Sequence, residues 1–290
     1  MSLVLIVADR AGERQVALAR GLELASKMGW GAQLVGFAYE NLDALGQATE
    51  IDRQQLKKRL VAKRRSELEA ELEKQHFDVP VALSVVWEKA IHLWIDKQCE
   101  RKRYAAVIKT GHRTETFTYT STDWHLLREC PAPVMIAAEK KWRATKPIVA
   151  SIDLSDDSRA NQALNARIIE NAKNFAEQLD CKLYVVTALH IPTVLRELDL
   201  VDEYSHTKKM KEALQPKIAT LSKTHDIPLS SFKLKQGPVD KVITSESARL
   251  KAQLVVMGTI GRKGMRGRLL GNTAEKVLSR LRTDVLAIKP

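Results

Sequence analysis

The sequence predicts an α/β fold built twice, as two tandem copies of a domain in which five short strands alternate with helices. Three observations predict it. Short apolar runs alternate with amphipathic stretches of helical length, which is the pattern of parallel strands joined by helical crossovers. The order of an apolar run, a terminal acid and a helix begins at Leu3 and begins again at Ile148. The 290 residues are enough for two ordinary hydrophobic cores.

In the first copy, residues 3–8 form a buried strand ending in Asp9. A helix over 13–28 carries Val16, Leu18, Ala19, Leu22 and Ala25 at near-helical spacing, and Gly29-Trp30-Gly31 stops it. A strand over 32–39 follows. The charged helix predicted over 52–75 has a thin stripe of Leu56, Leu60, Leu68 and Leu72. Val81, Leu83, Val85 and Trp87 alternate, so the strand over 81–87 belongs near a sheet edge. A helix over 90–102, a strand over 105–108, a short helix over 123–128 and a strand over 134–138 complete the copy.

The second copy repeats the order. Residues 147–153 form a strand ending in Asp153, and Ser158 is the expected N-cap of a helix reaching 179. Then come a strand over 182–188, a helix over 207–222, a strand over 231–235 and a helix opened by Gly237-Pro238-Val239. A strand over 254–257, a glycine-rich loop, a helix over 273–281 and a strand over 284–288 end the chain. Asp9 lies 144 residues before Asp153, and Val134 lies 151 before Val285, so the two copies differ only by loop variation. The domains are therefore expected at 1–139 and 147–290, with 140–146 as linker. The final strands of the copies, both apolar, are the expected contact of an intramolecular pseudo-dimer, because edge strands need covering.

No apolar run approaches the roughly twenty residues that cross a bilayer, and Asp9 interrupts the first strand too early for a signal peptide. A cytoplasmic protein with no membrane partner is expected. Cys99, Cys130 and Cys181 lie far apart in sequence without zinc-ligand spacing and read as reduced, partly buried thiols. The net charge of +12 invites a nucleic-acid partner. Its distribution argues against one: Lys57-Lys58-Arg59, Lys63-Arg64-Arg65 and Lys208-Lys209-Met210-Lys211 lie in helical stretches interleaved with acids and read as solvated faces.

Chemistry concentrates at Gly258-x2-Gly261-x9-Gly271, between a buried strand and a helix start. Such a loop lets a ligand approach the main chain and presents helix N–H groups to a phosphate. Placing Val256 on Val107 sets Gly258 opposite Lys109 and Gly261 opposite His112. Counting back from the final strands sets Gly271 opposite Thr120, with the first-copy loop two residues shorter. That loop also carries Phe117 and Tyr119, which would crowd a triphosphate. The first copy is expected to have lost nucleotide binding or to take another ligand.

Asp153-Leu154-Ser155, the glycine spacing and Leu270-Gly271-Asn272-Thr273-Ala274-Glu275 resemble the universal stress protein family. The tandem arrangement, with 122–128 followed by Cys130-Pro131-Ala132-Pro133-Val134, is similar to the E-type tandem members of proteobacteria. The resemblance covers the whole chain. It implies a Rossmann-like, adenine nucleotide alpha hydrolase-like domain in each half, with a five-stranded parallel sheet and helices on both faces. It further implies an ATP site in the second domain. Mg²⁺ is expected to accompany the nucleotide, with no carboxylate pair beyond Asp153 evident to hold it. By that resemblance Asp153 lies beside adenine and ribose, Gly258 and Gly261 line ribose and phosphates with Arg262 adding a cation, and Gly271 and Asn272 meet the outer phosphates. The family's binding branch has Ser or Thr where this chain has Asn272, and Thr273 offers a hydroxyl one position late.

Each of these residues also has a structural reading. Asn272 with Glu275 fits a capping box, and Asp153 fits a turn cap. His125 fits a packed histidine and His190 a loop histidine bordering the cleft, while Lys263, Arg266 and Arg268 fit either a phosphate clamp or a solvated loop. No nucleotide-hydrolase, nucleotidyl-transfer or hydrolase-elbow motif is present, so regulation with at most slow ATP hydrolysis is expected rather than enzymatic turnover. Two functions remain open: a stress-response module with a nucleotide site, and a nucleotide-free carrier or interaction scaffold holding an apolar or other small ligand. The protein partners are not specified by the sequence.

Overall fold

The structure, a computed structural model, describes residues 2–45, 52–111, 121–140, 142–143, 145–191, 202–259 and 271–289. The chain divides into two compact units, Met1–Glu139 and Lys140–Pro290.

In the first unit the order is β1 (Leu3–Val7), α1 (Val16–Met28), β2 (Gly31–Phe37), a 3-10 turn (Leu42–Leu45), α2 (Arg53–Glu73), β3 (Val81–Val86), α3 (Ile91–Arg101), β4 (Ala106–Thr110), α4 (Ser121–Glu129) and β5 (Val134–Ala137). The strands lie in the order β3-β2-β1-β4-β5, and every pair is parallel. Val4, Leu5 and Ile6 of the central β1 have no exposed surface, as expected of a strand covered by helices on both faces. β3 ends the order and is only partly buried along most of its length, as its alternation predicts.

Two departures from expectation have clear causes. α1 begins at Val16, three residues late, because Gln15 turns its side chain back to the carbonyls of Arg10 and Glu13 and holds the preceding residues in a loop. On α2 the leucine stripe is not the whole buried face: the buried residues are Leu68 and Arg64. A Cβ on Gly36 would lie 2.4 Å from Leu68 Cδ1, so the helix sits closer to β2 than any other residue there would allow. That approach carries Arg64, read from sequence as a solvated cation, over the end of β1.

In the second unit the order is β6 (Ile148–Ser151), α5 (Arg159–Gln178), β7 (Leu183–Leu189), α6 (Glu203–His225), a 3-10 turn (Leu229–Ser231), β8 (Phe232–Gln236), α7 (Val239–Arg249), β9 (Leu254–Gly258), α8 (Asn272–Arg280) and β10 (Asp284–Ile288). Its strands run β10-β9-β6-β7-β8, again all parallel. Ser158 caps α5 by accepting from the Asn161 N–H at 3.3 Å. α6 is longer than the expected 207–222 because Asp202 caps its start and Asp226, at φ 50°, closes its end, and the helix tolerates Pro216 inside it. Among the described residues, no helix is long and apolar enough to cross a membrane.

The sheet registers correct the alignment of the two copies. Val4 pairs with Ala106 and Ile148 with Leu254, so Val255 is the counterpart of Val107. Val107 pairs with Val134 as Val255 does with Val285, which gives the same result from the other side. Gly258 therefore stands opposite Thr110, and Lys109 opposite Met257. The shift also lengthens the loop difference: ten residues separate β4 from α4, and thirteen separate β9 from α8. The sequence alignment slipped by one because the apolar runs that open both strands, 106–108 and 254–257, carry no internal register mark.

Candidate functional site

In an open parallel sheet, ligands favour the carboxyl edge where the strand order reverses. In the second unit that point lies between β6 and β9, from which the chain runs outward to β8 on one side and β10 on the other. Ser151 pairs with Met257, so Asp153 and Gly258 stand just at the ends of neighbouring strands.

Asp153 is held by the start of α5. Its N–H donates to Asn165 Oδ1 at 3.2 Å, and its carbonyl accepts from Asn165 Nδ2 at 2.7 Å and Asn161 Nδ2 at 2.8 Å. Its half-buried carboxylate accepts, at Oδ1, the Ser155 N–H at 2.9 Å. The turn-cap reading of Asp153 is thus realised, and it leaves the residue at the crevice. Beyond β9, Thr259 donates its N–H to Ile288 O, and its own carbonyl accepts the Gly271 N–H at 3.1 Å. This bond closes the base of the glycine loop and delivers the chain to α8.

Gly271 is the N-cap of α8, in extended conformation, with its carbonyl accepting the Glu275 N–H at 3.0 Å. Asn272 is then the first helical residue. The box Asn272-x-x-Glu275 is one position out of capping register, since a box needs its first member at the N-cap. The cap has no side chain to occupy the N–H groups of the first turn, a geometry suited to an anion.

Gly258 has a separate steric reason. A Cβ there would lie 2.7 Å from Leu164 Cδ2, so the missing side chain lets α5 pack onto β9. A side chain at this position would have to displace Leu164, whatever approaches from the crevice.

At the corresponding strand ends the first unit places buried polar side chains that bond one another. Asp9 and Thr110, the counterparts of Asp153 and Gly258, are 3% and 4% exposed. Thr110 Oγ1 donates to Asp9 Oδ2 at 2.8 Å and accepts the Ala17 N–H at 2.9 Å, so both residues cap the start of α1. Gln15 accepts from the Asp9 N–H, as Asn165 does from Asp153. Arg64 Nη2 donates to the Asp9 carbonyl. Next to Thr110, Lys109 Nζ forms a buried ion pair with Asp123 Oδ1 at 2.7 Å and donates to the Thr110 carbonyl at 3.0 Å.

Of the sequence-predicted site residues, the structure brings Asp153, Gly258 and Gly271 to one sheet edge and leaves Thr273 exposed on the first turn of α8. Gly261 and Arg262 lie outside the described residues, as do Lys263, Arg266, Arg268, Phe117, Tyr119 and Thr120. His190 is exposed just past β7, and His125 bonds Asp96 Oδ2 through Nε2 at 3.0 Å. Its ring also lies 4.0 Å from that of His92. Burial, with the His125 charge adding to it, lowers the His92 pKa against the raising influence of Asp96. On α7, the Arg249 hydrogen bond lowers the Glu246 pKa although burial opposes it. Sequence reasoning missed Asn161 and Asn165. Their signal was two amides four residues apart at the start of a helix that follows a strand-end acid.

The profile described as the Universal stress protein family matches residues 145–289. The chain is 29% identical over 302 residues to universal stress protein E of Salmonella typhi, covering 99% of this chain and 94% of that protein. Two solved structures share the fold across 99% of the chain. One is a protein of unknown function from Pseudomonas aeruginosa PAO1, with TM-score 0.74, 23% identity and 92% of its chain covered. The other is a universal stress protein from Archaeoglobus fulgidus DSM 4304, with TM-score 0.60, 15% identity and 98% of its chain covered.

Proposed function

The chain belongs to the universal stress protein family, a stress-response family, and we propose that its second unit binds an adenine nucleotide, ATP, as a regulatory ligand. The supporting observation is the contrast at the switch point. In the first unit Thr110 bonds Asp9 and Lys109 pairs with Asp123, all buried, whereas Gly258 and Met257 stand at the Thr110 and Lys109 positions of the second.

The residues present fit the ligand. The first turn of α8, opened by a glycine cap, offers N–H groups to the outer phosphates, and Asp153 offers a carboxylate to the ribose hydroxyls. Gly261, Arg262, Asn272 and Thr273 enter this site through the family resemblance, and Mg²⁺ would arrive with the triphosphate. In this proposal the protein works in the cytoplasm, and occupancy changes its shape or its choice of partner. Binding without added stabilisation of a transition state accelerates nothing, so ATP turnover is slow at most.

Calorimetry of the full chain with ATP, together with mass spectrometry of whatever copurifies, tests the proposal. Binding that Gly261→Arg abolishes supports it. A chain that carries no nucleotide and gives no ATP heat overturns it. The scaffold reading is favoured by one observation, the packing of Gly258 on Leu164, which explains that glycine without a ligand.

A further inference from the structure

The sequence separates Cys99 and Cys130, but the fold brings them together. Cys99 lies near the end of α3 and Cys130 directly follows α4, and their Sγ atoms are 3.7 Å apart. His92, Asp96 and Cys99 share one face of α3, at intervals of four and three residues. That face meets α4: the His92 ring touches His125, and Asp96 bonds His125 at 3.0 Å. The contacts near the start of α3 hold the helices in register, so the two sulfurs stay in van der Waals contact at its end. Cys99 is partly exposed and Cys130 fully buried, and neither is in a disulfide.

We infer that Cys99 and Cys130 are an oxidant-sensing pair that forms a reversible disulfide on exposure to hydrogen peroxide. Cys99 is the entry thiol, since solvent reaches it. Its thiolate attacks a peroxide oxygen, an S–O bond forms, the O–O bond breaks, and the departing hydroxide takes a proton to leave as water. The Cys130 thiolate then attacks the Cys99 sulfur, an S–S bond forms, the S–O bond breaks, and a second water leaves. Two thiols have lost two electrons and two protons, and one peroxide has become two waters. A thiol reverses the step by exchange, as befits a transient disulfide in a reducing compartment. The sulfurs are already in contact, and the bond would bring them to about 2.05 Å.

The third thiol provides an internal control. Burial raises the Cys181 pKa, and its sulfur lies 3.8 Å from Gln253 Nε2. The test treats the full chain with hydrogen peroxide, denatures it in iodoacetamide without reductant, and maps the peptides by mass. The expected result is loss of alkylation at Cys99 and Cys130 together, a linked peptide two hydrogens lighter than the pair, retention of alkylation at Cys181, and full recovery with dithiothreitol. In Cys130→Ser, Cys99 should stop as a sulfenic acid that dimedone traps. Recovery of Cys99 as sulfinic or sulfonic acid in the unsubstituted chain would overturn the inference. So would a disulfide between chains, or unchanged alkylation of both thiols.

Discussion

Thr110 donates its hydroxyl to Asp9, Oγ1 to Oδ2 at 2.8 Å, across the point where the first sheet reverses its strand order. In the second unit the same two positions are Gly258 and Asp153, and a glycine has no side chain with which to make that bond.

Thr110→Val keeps the shape and removes the donor from a buried carboxylate. It should destabilise the chain by about 1–3 kcal/mol, the usual cost of a buried polar group losing its partner. Thr110→Ser should retain most of that stability. Urea unfolding followed by circular dichroism compares the two.

Gly258→Ala pushes a methyl group toward Leu164 Cδ2, and overpacking of this kind costs about 1–3 kcal/mol. In the double variant with Leu164→Val the loss should be smaller than the sum of the two single losses, because the residues share one space. Strict additivity in denaturant midpoints would show that the methyl group is accommodated elsewhere.

Asp9→Asn and Asp153→Asn should differ in kind. The first should lower stability and leave ATP heat unchanged. The second should leave stability near that of the parent and weaken ATP about tenfold, equivalent to about 1.4 kcal/mol. Paired calorimetric and unfolding measurements on both variants separate the effects, and weaker ATP binding in Asp9→Asn would contradict the assignment to the second unit.

The lowered His92 pKa sets a pH dependence. As pH falls through the ordinary histidine range of about 6.5, the unfolded chain takes up a proton before the folded one does, so stability falls. The loss levels off below the folded pKa, where both states are protonated. His92→Gln should flatten this part of the stability profile. In NMR titrations, His125→Gln should move the His92 midpoint upward by removing a positive neighbour.

Much of this fold was legible because its signals are local. Leu3–Val7 and Leu254–Gly258 are apolar runs bounded by breakers, and Ser158 is a side-chain cap readable from one residue. The candidate site was legible where backbone chemistry marks it, at Gly271 ahead of α8 and at Asp153 after β6. What failed depends on contacts distant in sequence. Arg64 looks like any cation of a charged helix until Gly36 lets α2 approach the sheet. The role of Gly258 depends on Leu164, 94 residues away, and no local pattern announces that contact.

The buried polar contacts at the strand ends of the first unit also act as a mutational ratchet. Replacing Lys109 alone takes a cation from Asp123, which has no exposed surface, and replacing Thr110 alone takes a donor from Asp9. Breaking a buried pair from one side costs far more than exchanging both members together. Removing Arg64 likewise leaves the Asp9 carbonyl without that donor. Each single step toward an edge without these side chains is therefore uphill, and the route that reaches one runs through paired substitutions. A selection experiment for nucleotide binding in this half would have to start from a library that varies Thr110, Arg64, Lys109 and Asp123 at once.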